Sequence, residues 1–260
     1  MSGEKNHDKS MFKIIGEEKL PLLEYKKKNN GILPLIIDGP VGSGKTHFTQ
    51  ILTNLTIPQT LGLTSPDRST LSDDQSKIFI SQPVFELDWF NIPRSAREQL
   101  GNKFTNHRAW FRFDGNNGVI SSLKRIIKAM REKKENTIVL RGAFSHAGKY
   151  AGKADPRSYI FPTNQNWIII EGVFSCSLQI RQVLNDNRIY PLVLLVEPSL
   201  TDTVKWSEER AKQRGVSQSI QKNLIETVYI PSWRKYVTQI TPLVDYKVVP
   251  KDYVFTIVNA

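Results

Sequence analysis

The chain has 260 residues, of which 39% are hydrophobic, and its one cysteine is Cys176. This is enough apolar sequence for one good core with a small lid, and a single cysteine excludes an intramolecular disulfide. The composition is ordinary for a globular protein and does not indicate disorder. The first residues are polar and all apolar runs are short, so we expect no signal peptide, no membrane span and a cytoplasmic location.

The net charge is +11, from 36 basic and 25 acidic residues. Such an excess favours an anionic partner, which could be a small phosphorylated ligand or a nucleic acid. The densest basic cluster runs from Lys26 to Lys28, and no run of five Lys or Arg residues exists. The distribution therefore favours small anionic ligands and makes nucleic acid the weaker alternative.

Apolar periodicity predicts strands that alternate with helices. A helix at 14–28 comes first, followed by a strand at 33–38 and a helix at 44–55. The later predicted elements are strands at 84–87, 137–140, 167–170, 192–196 and 246–249, helices at 119–130, 201–214 and 217–237, and an edge strand or tail at 253–258. The stretches 56–77 and 91–115 show no clear periodicity. This alternation predicts a three-layer α/β fold, with a mainly parallel sheet and helices on both faces.

The most specific motif lies at 33–48 and reads LPLIIDGPVGSGKTHF. It satisfies G-x-x-x-x-G-K-[ST] between a predicted strand and a predicted helix, as a phosphate-binding loop requires. Glycines let backbone N–H groups surround a phosphate, and the new helix directs its positive end at the anion. We expect Lys45 to act in catalysis at the β- and γ-phosphates, and the Thr46 hydroxyl to ligate Mg²⁺. The expected nucleotide-binding residues of this loop are Gly39, Pro40, Val41, Gly42, Ser43, Gly44, Lys45, Thr46 and His47.

Further motifs follow the later strands and the last helices. These segments are Glu86-Leu-Asp88-Trp-Phe90, Ile170-Glu171-Gly172, Arg210-Ala-Lys-Gln-Arg214-Gly215, Tyr229-Ile-Pro-Ser-Trp-Arg-Lys-Tyr236 and Asp245-Tyr-Lys-Val-Val249. Together with the phosphate loop, and in this order, they resemble the uridine kinase and phosphoribulokinase group of P-loop kinases. The resemblance covers about residues 33–250, and it implies the P-loop NTPase fold with a small lid.

The resemblance also implies a division of the chain. Residues 33–250 would form the P-loop kinase domain, in which 141–166 is an excursion at the substrate site and 200–216 is the lid. An N-terminal extension and helix would occupy 1–32, and a C-terminal strand or tail would occupy 251–260.

Catalytic and metal-binding roles follow from the same resemblance. Asp88 would deprotonate or position the acceptor hydroxyl, because an alcohol is a poor nucleophile until its proton has somewhere to go. Glu171 would help Thr46 to hold Mg²⁺, which prefers one or two carboxylates together with waters and phosphate oxygens. Arg210 and Arg214 would bind ATP phosphates from the lid. Arg214 matches the family motif better and would also be catalytic. The alternative interpretations are that Asp88 is an ordinary turn residue and that Glu171 is a solvated acid. Arg210 and Arg214 would then be surface arginines.

The acceptor site is where this sequence departs from the family. The aspartate that binds ribose in uridine kinases is replaced by Arg108, with Asp114 a few residues later, and a family tyrosine is replaced by Arg141. These changes invert the local charge, so a substrate with a phosphate or carboxylate becomes better matched than a neutral nucleoside. The substrate-binding residues expected from the resemblance and from these departures are Asp88, Phe90, Arg108, Asp114, Arg141, His146 and Arg181.

The leading hypothesis is an ATP- and Mg²⁺-dependent kinase that phosphorylates a hydroxyl of a small molecule. By resemblance the acceptor is a nucleoside, and a sugar phosphate or small organic acid is the main rival. Two other classes stay open, a nucleotide-binding regulatory module without catalysis and an RNA-directed kinase or NTPase. The sequence also leaves a homo-oligomer open.

Overall fold

The computed structural model describes residues 13–16, 20–58, 76–101, 103–145, 148–213, 217–251 and 254–260. The predicted start at 1–12, most of the polar stretch 56–77, His146 and Arg214 lie outside these ranges. Within the described residues, no helix is long and apolar enough to cross a membrane.

The described elements alternate much as the sequence predicts. The strands are β1 (Lys13–Gly16), β2 (Leu33–Asp38), β3 (Lys77–Phe79), β4 (Val84–Glu86), β5 (Asn136–Phe144), β6 (Ala154–Pro162), β7 (Trp167–Glu171), β8 (Leu192–Val196), β9 (Tyr246–Lys251) and β10 (Val254–Asn259). The α-helices are α1 (Leu22–Lys28), α2 (Lys45–Ile51), α3 (Arg94–Leu100), α4 (Val119–Arg131), α5 (Leu178–Asp186), α6 (Leu200–Gln213), α7 (Gln218–Leu224) and α8 (Ile230–Ile240). A π-helical turn at Leu52–Thr56 extends α2, and another at Ile225–Tyr229 joins α7 to α8. Short 3₁₀ segments occupy Leu87–Phe90 and Phe104–Trp110.

The main sheet has the strand order β1-β10-β9-β8-β2-β7-β4 within the described residues. Strands β9, β8, β2, β7 and β4 are parallel, whereas β10 is antiparallel to β9. Ile37 of β2 pairs with Glu171 of β7, and Glu171 pairs with Glu86 of β4. The carboxyl ends of these three strands therefore meet at one edge of the sheet, which is where ligands bind in open parallel sheets.

Successive residues of β2 face opposite sides of the sheet and enter two separate cores. Leu35 and Ile37 pack with Phe48 of α2, whereas Ile36 packs with Leu123 of α4 and Ile180 of α5. All six residues of β2 are buried, because both faces of this strand are covered by helices. The predicted three-layer α/β fold is confirmed.

A second, three-stranded sheet has the order β3-β6-β5, with β5 and β6 antiparallel. The strand predicted at 137–140 is longer than expected, and much of the stretch 141–166, predicted as an excursion at the substrate site, is β6. Register shifts at 138–140 and 141–143 interrupt the pairing of β5 with β6. Such bulges disturb the alternation of side chains that marks a strand in a sequence.

One expectation is wrong locally, and one helix was not predicted. The helix predicted over 14–28 begins only at Leu22, because Lys13–Gly16 pairs with β10 at the far end of the chain. Pairing with a distant strand overrides local preference. The unassigned stretch 91–115 contains α3, which has no buried residue and therefore no apolar periodicity to show.

Candidate active site

The phosphate-binding loop forms a tight turn between β2 and α2. Gly42 and Gly44 have φ angles of +79° and +85°, a region that disfavours side chains. Gly39 is required for a different reason, because a Cβ atom there would lie 2.4 Å from the carbonyl oxygen of Val196. Without side chains at these positions, the loop backbone can approach a bound phosphate closely, as a phosphate-binding loop requires.

Lys45 lies inside this loop. Its ammonium donates hydrogen bonds to the carbonyl oxygens of Gly39 and Pro40, at 2.9 and 2.7 Å, and lies 3.4 Å from Ser43 Oγ. The next residue, Thr46, is exposed on the first turn of α2. The Lys45 ammonium is therefore held by carbonyl oxygens of the loop, and the expected nucleotide-binding roles of Lys45 and Thr46 stay predictions.

The start of the loop is fixed by Asp38, a buried carboxylate that the motif itself does not single out. Its Oδ1 accepts a hydrogen bond from Gly39 N–H, and its Oδ2 accepts bonds from Cys176 N–H and the Tyr236 hydroxyl, all at 2.7 Å. Burial raises the pKa of Asp38, while these hydrogen bonds and Lys45 oppose the shift. Asp38 thereby links the loop to the turn after β7 and to α8.

Glu171 ends β7 beside the loop, with its side chain largely buried at 6% exposure. The following Gly172 has a φ of +143°, and a Cβ atom there would lie 2.8 Å from Leu87 Cβ. The Glu-Gly pair therefore allows the ends of β7 and β4 to approach each other. The Glu171 carboxylate and the exposed Thr46 hydroxyl are the oxygen ligands that Mg²⁺ prefers, so these residues fit the metal.

No group of three or more His, Cys, Asp or Glu residues that could hold a metal ion by itself is found in the described part of the chain. An Mg²⁺ ion at Thr46 and Glu171 would therefore depend on nucleotide phosphates and waters for its remaining ligands.

Asp88 follows β4 in a 3₁₀ segment, partly exposed at the same sheet edge. Asn91 Nδ2 donates to its backbone oxygen at 3.1 Å and approaches its carboxylate Oδ1 at 3.4 Å. Burial, followed by the charge of Asp88, raises the pKa of Glu86 to about 7. The charge of Asp88 also acts to raise the pKa of His107, Arg97 and Tyr229, as a smaller effect than their burial.

His107 is a buried histidine that the sequence analysis did not select. It is 3% exposed, and its ring packs 5.1 to 5.3 Å from the rings of Trp110, Phe174 and Tyr229. Its Nδ1 lies 2.9 Å from Ser232 Oγ. Burial lowers the pKa of His107 to about 4, with Asp88 and Lys45 both contributing smaller charge effects. The imidazole is therefore neutral near pH 7.

Arg94 and Arg97 of α3 were also missed, because α3 has no apolar stripe. The Arg97 guanidinium lies 4.7 Å from the Phe144 ring centre and 5.8 Å from that of Trp110. Both arginines act electrostatically on Tyr229, as does Asp88. The only sequence signal was the basic and aromatic composition of 91–115.

The substrate residues predicted from the sequence do not form one group. Phe90 is fully buried in the core against Phe85, at 5.2 Å between ring centres, so its ring presents no surface to a ligand. Asp114 and Arg141 are exposed, on the turn before α4 and on β5. His146 lies outside the described residues. Arg108 and Arg181 lie together, but in a cavity that Asp88 does not line.

The proposed lid begins with α6, which packs on the phosphate loop. A Cβ atom on Gly42 would lie 2.2 Å from Ser207 Oγ of this helix. Arg210 lies within α6, near its end, and Arg214 falls outside the described residues. The roles of these two arginines stay predictions.

The chain is similar to known proteins in its fold rather than in its sequence. No model of a known protein family matches the sequence. A search of curated proteins also gives no significant match. Among solved structures, a proposed fructose transport system kinase from Silicibacter sp. TM1040 matches with a TM-score of 0.52 at 15% identity, over 82% of this chain and 88% of that one.

YFH7 from Saccharomyces cerevisiae, a proposed P-loop kinase with a circular permutation, also has a TM-score of 0.52. Its identity is 14%, over 92% of this chain and 96% of that one. At such identities the likeness shows the fold alone, which is the α/β fold of P-loop kinases. The narrower resemblance to uridine kinases stays a prediction.

Proposed function

We propose that this chain is an ATP- and Mg²⁺-dependent kinase that transfers the γ-phosphoryl group to a hydroxyl of a small molecule. One observation carries the proposal: β2, β7 and β4 are parallel neighbours with Ile37 opposite Glu171 and Glu171 opposite Glu86, so the phosphate loop, Glu171 and Asp88 follow adjacent strands at one edge of the main sheet. A phosphate donor held by the loop and a hydroxyl held at Asp88 would therefore meet at this edge.

Each residue has a definite task in this reaction. The loop amides and Lys45 would hold the β- and γ-phosphates, and Asp88 would accept the proton of the attacking hydroxyl. Mg²⁺, held by Thr46 and Glu171, would offset phosphate charge when bound. Arg210 and Arg214 would add positive charge from a lid at 200–216, within a kinase domain at 33–250.

The surroundings of Asp88 favour an anionic acceptor over a neutral nucleoside. Arg97 interacts electrostatically with Asp88 and affects the pKa of Tyr229, as does Arg94, while the low pKa of His107 leaves its ring neutral. Two permanent positive charges beside the acceptor position suit a phosphate or carboxylate group. A sugar phosphate or small hydroxy acid is therefore the better candidate, although the resemblance to uridine kinases favours a nucleoside.

An acceptor screen tests the proposal. The protein is incubated with ATP, Mg²⁺ and panels of nucleosides, sugars, sugar phosphates and hydroxy acids, and ADP release and product phosphorylation are measured. For the best acceptor, Asp88→Asn should lower kcat by about 10²- to 10⁴-fold, the range of general-base catalysis, with ATP affinity retained. Asp186→Asn, an exposed carboxylate at the end of α5, is the matched control and should retain full activity.

Two results would contradict the proposal. Full turnover by Asp88→Asn would remove the catalytic role of this carboxylate. Tight ATP binding without phosphorylation of any acceptor class would instead favour the nucleotide-binding regulatory module.

A further inference from the structure

A cavity of about 530 Å³ lies between the 3₁₀ segment Phe104–Trp110, the start of α5 and helix α8. Three basic residues line it, and the other polar groups of its lining are hydroxyls, amides and a thiol. None of its described lining residues is Asp or Glu. The basic and hydroxyl residues of the lining are Arg108, Arg181, Lys235, Thr105, Ser177, Ser232 and Tyr236.

Ser177, in the wall of this cavity, carries a buried hydroxyl without a hydrogen-bond partner among the described residues. It is the N-cap residue of the nine-residue α5, yet its side chain makes no capping hydrogen bond. The residue is only 4% exposed. A buried hydroxyl without a partner is destabilising by about 1–3 kcal/mol. The first N–H groups of α5 lie beside it, and such groups favour an anion.

This cavity is separate from the Asp88 site. Neither Asp88 nor any residue of the phosphate loop lines it. Phe174 forms part of its wall and packs against His107, with 5.2 Å between ring centres. Ser232, another lining residue, has its Oγ 2.9 Å from Nδ1 of His107, so the cavity borders His107 rather than Asp88.

The cavity is nevertheless connected to the phosphate loop by hydrogen bonds. Cys176 and Tyr236 both line it, and both donate to Asp38 Oδ2 at 2.7 Å. The other carboxylate oxygen of Asp38 accepts the N–H of Gly39, the first loop residue. A ligand that moves either donor would therefore act on the loop through one carboxylate.

We propose that this cavity is a second binding site, for a small phosphate-bearing metabolite, and that its occupancy alters the affinity of the phosphate loop for nucleotide. Three cations without a lining carboxylate more than balance the two negative charges of a phosphate monoester, and arginine binds phosphate oxygens with paired donors. Because binding linkage is reciprocal, nucleotide binding changes the affinity of this site by the same factor.

The test is calorimetric titration of inorganic phosphate, and separately of glycerol phosphate, into the protein saturated with Mg²⁺ and a non-hydrolysable ATP analogue. Saturating the loop removes the other obvious phosphate site. One saturable site is expected, and Arg181→Gln and Lys235→Gln should each weaken it about tenfold, as loss of a charged hydrogen bond does. Arg234→Gln, an exposed neighbour on α8 that does not line the cavity, should change the affinity less than twofold.

Several outcomes would overturn the proposal. Absence of saturable binding up to millimolar phosphate would exclude the site. Binding that survives both cavity variants would place the phosphate elsewhere, for example beside Arg94, and equal weakening by Arg234→Gln would show a diffuse charge effect. Binding of phosphate that leaves the affinity for the ATP analogue unchanged would refute the coupling through Asp38.

Discussion

The Tyr236 hydroxyl donates a 2.7 Å hydrogen bond to Asp38 Oδ2, and both side chains are buried. The bond joins α8 to the end of β2, immediately before the phosphate loop, across 198 positions of sequence. Burial raises the pKa of the tyrosine well above its usual value, and the neighbouring Asp38 adds to this shift. The loop is therefore held in place by a helix near the other end of the chain.

Removal of this hydroxyl should destabilise the protein. Tyr236→Phe leaves the buried Asp38 carboxylate with one donor fewer, so the free energy of unfolding should fall by about 1.5–3 kcal/mol, the value of a hydrogen bond to a charged group. Tyr190→Phe, at a side chain that is 45% exposed, should change it by less than about 0.5 kcal/mol. Urea unfolding of both variants gives the comparison, and equal effects would show that the bond to Asp38 contributes nothing specific.

Gly39 and Gly31 should differ sharply when each is changed to alanine. Gly39→Ala directs its Cβ atom at a backbone oxygen of β8, so the loop must move and nucleotide binding should be lost. Gly31 has a φ of +92°, and a Cβ atom there would meet nothing within 4 Å, so Gly31→Ala should cost about 1–2 kcal/mol of stability through backbone strain alone. Its nucleotide affinity should be unchanged. Titration with an ATP analogue checks both, and wild-type affinity of Gly39→Ala would show that the close approach is unimportant.

The part of the site that sequence analysis finds is local. Glycine spacing, Lys45 and Thr46 form one continuous segment whose geometry depends on its own backbone, and the apolar strands β2, β7 and β8 are marked by their composition. The positions of Asp88 and Glu171 at one edge follow because parallel strands end together. These features need no knowledge of distant contacts.

The part that sequence analysis misses depends on contacts between distant residues. His107 meets Ser232 across 125 positions, and Tyr236 meets Asp38 across 198. No spacing rule connects such pairs. Arg108 was expected to bind the substrate; its guanidinium stacks 3.7 Å from the Phe113 ring centre, and the residue lines the second cavity. The position of a loop arginine's guanidinium group depends on which aromatic residues the fold places beside it.

If the acceptor is anionic, Arg94→Gln should reveal it. Arg94 is exposed at the start of α3 and interacts electrostatically with Tyr229 beside Asp88. Loss of its charge should raise the KM of an anionic acceptor about tenfold, with kcat and the KM of ATP little changed, because the contact exists before and during the reaction. Initial-rate kinetics with a sugar phosphate and with the corresponding neutral sugar provide the measurement. An equal rise of KM for the neutral sugar, or a similar rise in Arg234→Gln, would contradict an anionic acceptor at Arg94.

His107 and Glu86 should give opposite pH dependences of stability. The pKa of His107 is lowered by burial to about 4, from 6.5 in the unfolded chain, so between these values only the unfolded state takes up a proton. Its contribution to the free energy of unfolding is complete above pH 6.5 and is lost as the pH falls towards 4. The shift corresponds to about 3 kcal/mol.

Glu86 acts in the other direction. Burial and the charge of Asp88 raise its pKa from 4.5 to about 7, so its contribution is complete below pH 4.5 and is lost as the pH rises towards 7. The two effects, each about 3 kcal/mol at most, oppose each other between pH 4.5 and 6.5 and should largely offset in the unmodified protein. His107→Gln removes one of them, so its stability should fall with rising pH across this window. Glu86→Gln removes the other, so its stability should rise. Urea unfolding at pH 4.5, 5.5, 6.5 and 7.5 measures the slopes, which do not depend on the overall cost of either substitution, and parallel slopes in the two variants would show that these groups do not titrate as their burial requires.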